Sequence, residues 1–156
     1  MGTKTRPILL VSDVASGFDK IDLSRSDLEV SEPETIADIV KGIKDSGHKC
    51  IHIQNPIELY DASVTHPNCV VLSIWSGERN RNRRAIVPSI CEAYRISYIG
   101  ADPYAAMISG DKELSKSVCA DFGIKAPLGI LIRSIEQSDR AARLIPLLPA
   151  RSTYRR

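Results

Sequence analysis

The feature that most restricts this chain is its alternation of short apolar runs with segments of helical period. Ile8, Leu9, Leu10 and Val11, inside Pro7 to Ser12, are apolar at every position. Such a run fits a strand covered on both faces, as in a parallel sheet. Cys69 to Ile74 is a second run of this kind, and His48 to Ile53 and Ile96 to Ile99 are the other strand candidates. Between them, Ile36, Ile39, Val40 and Ile43 recur at helical spacing, and so do Ile86, Val87, Ile90, Cys91 and Tyr94. Ser31 and Glu34 form a capping-box pattern before the first helix, and Gly47 suits its end. Asp102-Pro103 suits a capped, proline-started helix, and Leu114, Val118 and Phe122 line another that stops at Gly123. Residues 13 to 31 and Pro56 to Pro67 read as loops. Leu128 to Ile132 is a last strand candidate, followed by a helix-compatible stretch from Ser134 to Leu144.

Strand–helix alternation predicts a three-layer, Rossmann-like α/β domain with a mainly parallel sheet and helices on both faces. Ligands of such sheets sit beyond the carboxyl ends of the strands. Here those ends are the loops starting near Asp13, Gln54, Trp75 and Gly100. No G-x-G-x-x-G follows the first strand, so the dinucleotide fingerprint is missing.

A length of 156 residues suits one domain with a short appendage. With two Phe and one Trp, the core must be built from Ile, Leu and Val. A formal charge of +2 implies neither a nucleic-acid nor a membrane partner. No apolar run approaches the ~20 residues of a membrane span. Asp13 interrupts the only early apolar stretch, so no signal peptide is read and a cytoplasmic location is expected. Cys50, Cys69 and Cys91 lie in apolar segments and read as buried thiols. Neither they nor His48, His52 and His66 have metal-ligand spacing.

The residues most able to carry chemistry are Arg79, Arg81, Arg83 and Arg84, interleaved with Asn80 and Asn82. They fall after a strand and at a helix start, where backbone N–H groups already favour anions. Guanidinium forks suit carboxylate or phosphate. A solvated basic turn with structural ion pairs accounts for the same composition. A nucleic-acid patch is not expected from one short cluster without interleaved aromatics.

This segment, with its flanks, resembles a branch of the D-alanine–D-alanine ligase-like proteins. There a strand precedes E-G-x-x-G-R-N-R-E-A-x-V-P; here the residues are Arg81-Asn82-Arg83-Arg84-Ala85-Ile86-Val87-Pro88. The family's G-I-P-Y-x-G-S-D-P is similar to Arg95 through Pro103, and its D-K-x-x-x-K to Asp111-Lys112 through Lys116. Its G-I-P-x-P is similar to Gly123 through Pro127, and Pro33 to Ile36 and Gly47-His48 also look like this branch. The pattern departs from the family at Arg84, where the family has an acid, and at Asn80, where it has glycine. The acid–glycine pair is altered to Ser76-Gly77 or displaced to Gly77-Glu78.

The resemblance implies a pre-ATP-grasp α/β domain over residues 1–123 and an incomplete, truncated start of an ATP-grasp domain over 124–156. The parent reaction would activate a carboxylate with ATP and Mg²⁺ and let an amine attack. Arg81 and Arg83 would belong to the substrate wall, and Lys112 would reach the nucleotide phosphates. The family's second lysine, Gly/Ser loop and Mg²⁺-binding carboxylates have no counterpart before Arg156. The expectation is therefore a chain that is inactive alone, with neither ATP nor Mg²⁺ bound tightly. A homodimer or a separate ATP-grasp domain would be the partner. The alternative is a stand-alone, non-enzymatic α/β module that binds an anionic metabolite or a partner protein.

Overall fold

The computed structural model describes residues 5–13, 31–77 and 82–127. The chain divides into two compact units, Met1–Asp111 and Lys112–Arg156. The strand expected over Leu128 to Ile132 and the helix over Ser134 to Leu144 lie outside the described residues.

In the first unit, the apolar runs become four short strands: β1 (Ile8–Val11), β2 (Cys50–Ile53), β3 (Val70–Ser73) and β4 (Ser97–Ile99). They form one sheet in the order β2-β1-β3-β4, and every pairing is parallel. Its helices are α1 (Pro33–Asp45), α2 (Leu59–Thr65, after a 3₁₀ turn at Pro56–Glu58), α3 (Arg83–Ala93) and α4 (Pro103–Gly110). The strand order reverses direction after β2. Successive right-handed crossovers then place helices on opposite faces, which gives three layers.

Register decides which side chains meet. Leu9 pairs with Ile51 and Val71, and Val71 with Tyr98, so these residues share one face. On that face Leu9, Val11, Ile53 and Val71 form the core with Leu59 of α2 and Val87 and Cys91 of α3. Full burial of each such aliphatic side chain stabilises the fold by roughly 1.5–3 kcal/mol. The opposite face carries buried Leu10 and Ser12, and α1 lies over β2.

The helix ends correct two sequence expectations. Glu32, not Ser31, is the N-cap of α1; it makes no side-chain capping bond, and Pro33 starts the helix. Proline has already fixed φ and removed one orphan donor, so the capping box is not needed there. Pro56 to Pro67 is not a loop: it holds the 3₁₀ turn and α2, with Leu59 buried in the core. Its two prolines mark the ends of this short helical segment rather than a continuous turn.

In the second unit, α5 (Lys112–Asp121) carries Leu114 and Val118 and ends at Gly123, whose φ is +70°. Asp102 caps α4 as expected, its Oδ1 accepting from the Ala105 N–H at 2.7 Å.

Candidate functional site

β1 and β3 are neighbours, but the chain leaves them in opposite directions, so the crevice beyond their ends is the position where α/β sheets bind ligands. Here that crevice is bridged from within. The Asp13 carboxylate, just past β1, accepts from the Ser76 N–H at 3.1 and 3.2 Å and from the Gly77 N–H at 2.8 Å. The backbone amides that would cradle an anion are thus engaged by the protein's own acid. Gly77 makes the turn possible with φ +71°, and the Trp75 ring lies where a Cβ on residue 77 would stand.

One strand further along, between the ends of β3 and β4, a cavity of about 260 Å³ opens. Ser73, Trp75, Ser76, Arg84, Tyr98 and Gly100 contribute to its lining. Among the described residues that line it, Arg84 is the only one with a formal charge. Its stem passes the α4 end, with Cδ 3.5 Å from where a Gly110 Cβ would lie. Pro88 sits four residues after Arg84 inside α3 and lines the same cavity. Lacking an N–H, it removes the helix bond that the Arg84 carbonyl would otherwise accept, and its ring crowds that carbonyl. The helix is thereby perturbed at the residue that brings positive charge to the cavity.

Tyr98 also lines the cavity. Its hydroxyl donates to Glu92 Oε1 at 2.9 Å. Partial burial pushes the phenol up from its ordinary value, and the Glu92 carboxylate and the charge of Asp102 add to this. The cavity therefore combines one guanidinium with serine hydroxyls and aromatic walls, a set suited to a small carboxylate with a modest apolar group.

Of the residues singled out by sequence, Arg81 lies outside the described residues. Arg83 opens α3 and is half-buried, with its Cβ 3.1 Å from a Gly77 Cβ position; it does not line the cavity. Lys112 is the exposed first residue of α5 and belongs to the second unit. Lys116 pairs with Glu113 at 3.2 Å. Sequence reasoning includes Arg84 in the basic segment and puts Asp13 at a strand's carboxyl end, but the resemblance assigns the substrate wall to Arg81 and Arg83. Within the resemblance Arg84 is a departure from the family pattern, and no local signal marks the bonds of Asp13 to Ser76 and Gly77.

Among the described residues, no three His, Cys, Asp or Glu side chains converge as a metal site. His52 Nε2 lies 2.6 Å from the buried Ser12 hydroxyl on the far face of the sheet. Cys69 and Cys91 are buried as expected, while Cys50 is only half-buried. Burial pushes the Cys91 thiol up to about 11, reinforced by Cys69 and Glu92.

No protein-family model matches the sequence, and no curated protein does. Among solved structures, the chain is similar to the crystal structure of a D-alanine–D-alanine ligase from Bacillus anthracis complexed with ATP. The TM-score is 0.54 at 13% identity, covering 88% of this chain and 43% of the ligase chain. The chain thus spans less than half of that ligase's length. At this identity the likeness establishes a shared ligase-like fold.

Proposed function

We propose that this chain is the pre-ATP-grasp part of a carboxylate–amine ligase similar to D-alanine–D-alanine ligase, and that its cavity holds the carboxylate of a small amino acid. The observation that carries this reading is Arg84 above a hydroxyl-lined cavity at the strand carboxyl ends, in a fold shared with a ligase crystallised with ATP. Arg84 orients the carboxylate as a planar fork, Ser73 and Ser76 supply hydroxyls, and Trp75 walls off water. Arg81 and Arg83 extend the basic wall, and Lys112 contacts the nucleotide phosphates in the complete enzyme. The division into 1–123 and 124–156 belongs to the same proposal. When bound, ATP and Mg²⁺ would supply the phosphoryl group that activates the carboxylate. The described residues offer no converging donor set for Mg²⁺. The 156 residues taken alone are expected to bind a carboxylate weakly and to release no phosphate from ATP.

The test is an NMR titration with D-alanine, paired with a phosphate-release assay with ATP and Mg²⁺. Saturable shifts at Ser73 to Gly77 that disappear in Arg84→Gln, with no phosphate release, support the reading. Phosphate release by the chain alone, or D-alanine binding indifferent to Arg84→Gln, overturns it.

A second reading is a stand-alone module for an anionic metabolite or a protein partner. It is favoured by one observation: the described residues that line the cavity all precede Lys112. Equal binding of carboxylates that are not amino acids would favour it. A separately produced ATP-grasp chain that restores phosphate release would favour the ligase.

A further inference from the structure

The opposite end of the sheet carries a charge arrangement that the carboxylate site does not use. Arg6 precedes β1, Lys49 precedes β2, Asn68 and Cys69 precede β3, and Arg95 precedes β4. Two cavities open there, of about 270 and 380 Å³, and both are lined by Arg6 and Asn68. The first adds Arg95 with the hydroxyls of Ser63 and Ser97; the second adds Lys49, Thr65 and His66. Among the described residues, no Asp or Glu lines either cavity. Three permanent cations without a carboxylate repel one another, and an anion between them relieves that repulsion.

Two further observations distinguish this end from a merely solvated basic surface. First, Arg6 is already positioned. Its Nε donates to the Asn68 carbonyl at 2.8 Å and one terminal nitrogen to the Cys69 carbonyl at 3.0 Å. The His48 ring nitrogen lies 2.9 Å from the Arg6 carbonyl, holding its backbone as well. A guanidinium fixed in this way loses little further freedom when its remaining N–H groups take an anion.

Second, Arg95 stands where glycine belongs. α1, α3 and α5 end in the same hydrogen-bond pattern. In α1 the Gly47 and His48 N–H groups donate to Lys44 and Ile43; in α5 the Gly123 and Ile124 N–H groups donate to Ala120 and Cys119. In α3 the donors are Arg95 to Glu92, at 3.2 Å, and Ile96 to Cys91, at 2.8 Å. The left-handed residue is Gly47 (φ +83°) in α1, Gly123 (φ +70°) in α5, and Arg95 (φ +55°) in α3. A side chain in that conformation destabilises the fold, and such strain concentrates at functional positions.

We infer that these paired cavities at the amino-terminal end of the sheet form an anion site for a small molecule carrying two linked phosphate groups, with Arg6 shared between them. Arg95 and Arg6 hold one phosphate, and Lys49 and Arg6 the other. Guanidinium forks and an ammonium point charge are the groups that phosphates recruit. The site is separate from Arg84, because the two lie at opposite ends of the parallel strands.

The test titrates the whole chain with inorganic pyrophosphate at physiological ionic strength, using wild type, Arg95→Gly, Lys49→Gln and Arg84→Gln. Saturable binding is expected, weakened about tenfold by Arg95→Gly and by Lys49→Gln and unchanged by Arg84→Gln. Arg95→Gly is also expected to raise the denaturation midpoint, so its loss of binding does not come from unfolding. Orthophosphate is expected to bind more weakly than pyrophosphate. The inference is overturned by absence of saturable binding, by binding that survives both Arg95→Gly and Lys49→Gln, by equal affinity for orthophosphate, or by loss on Arg84→Gln. Preference for an oligonucleotide over pyrophosphate at the same salt also overturns it. Failure of D-alanine to bind at Arg84 leaves this result untouched, so the two readings fail separately.

Discussion

Gly77 holds the end of β3 in a shape that no other residue adopts without cost. Its positive φ allows its own N–H and that of Ser76 to meet Asp13, while Trp75 fills the space a side chain would need. Gly77→Ala is expected to lose about 1–2 kcal/mol from the backbone alone, and more because the indole must move. Urea denaturation measures the loss, and the Trp75 fluorescence, from the chain's only tryptophan, reports the displacement. Cys91 gives a pH test. Its thiol holds the proton more tightly when folded, because burial, then Cys69 and Glu92, disfavour the thiolate. A raised folded-state value stabilises the native protein below the ordinary 9.0 and ceases to do so as pH rises through about 11. Denaturation midpoints are therefore expected to fall between pH 9 and 11 more steeply in wild type than in Cys91→Ala; parallel curves would contradict the assignment. At this scale the sequence was only partly legible. The buried thiols of Cys69 and Cys91 followed from their apolar neighbours. Asp13 bonding to Ser76 and Gly77 joins residues more than sixty positions apart, and no local pattern encodes that contact.

The helices and strands were more legible, since each is set by a short period and by its ends. β1 and β3 were apolar enough to require cover on both faces, and both lie inside the sheet. α4 was marked by Asp102 and Pro103, and the observed cap has the expected form. Asp102→Ala is expected to cost about 1 kcal/mol in denaturant unfolding, with Asp102→Asn largely preserving stability. No change in Asp102→Ala would mean that the cap bond is replaced by water. α2 was missed because seven residues give too few turns to show a period, and Pro56 and Pro67 resemble turn punctuation. The Ser31 capping box failed for the opposite reason: the motif was present, but Pro33 set the helix start instead.

For the whole molecule, the order β2-β1-β3-β4 is what turns scattered residues into sites. It carries Arg84 to the carboxyl ends of the strands and gathers Arg6, Lys49 and Arg95 at the other ends. The sequence indicated a parallel α/β sheet, and with it the strand ends beyond which such sheets generally bind ligands. It did not indicate which arginine of the 79–84 segment faces the cavity, because the choice depends on the rotation of α3 and its proline. No helix among the described residues is long and apolar enough to cross a membrane. The central claim is that Arg84 makes the cavity between β3 and β4 a carboxylate site. The most direct measurement is a ¹H–¹⁵N titration of wild type and Arg84→Gln with a small amino acid. Saturable shifts confined to Ser73–Gly77 and Gly100–Ala101 in wild type, and lost in the variant, are the expected result. Shifts that persist in Arg84→Gln, or that appear at Arg6 and Arg95 instead, would contradict it.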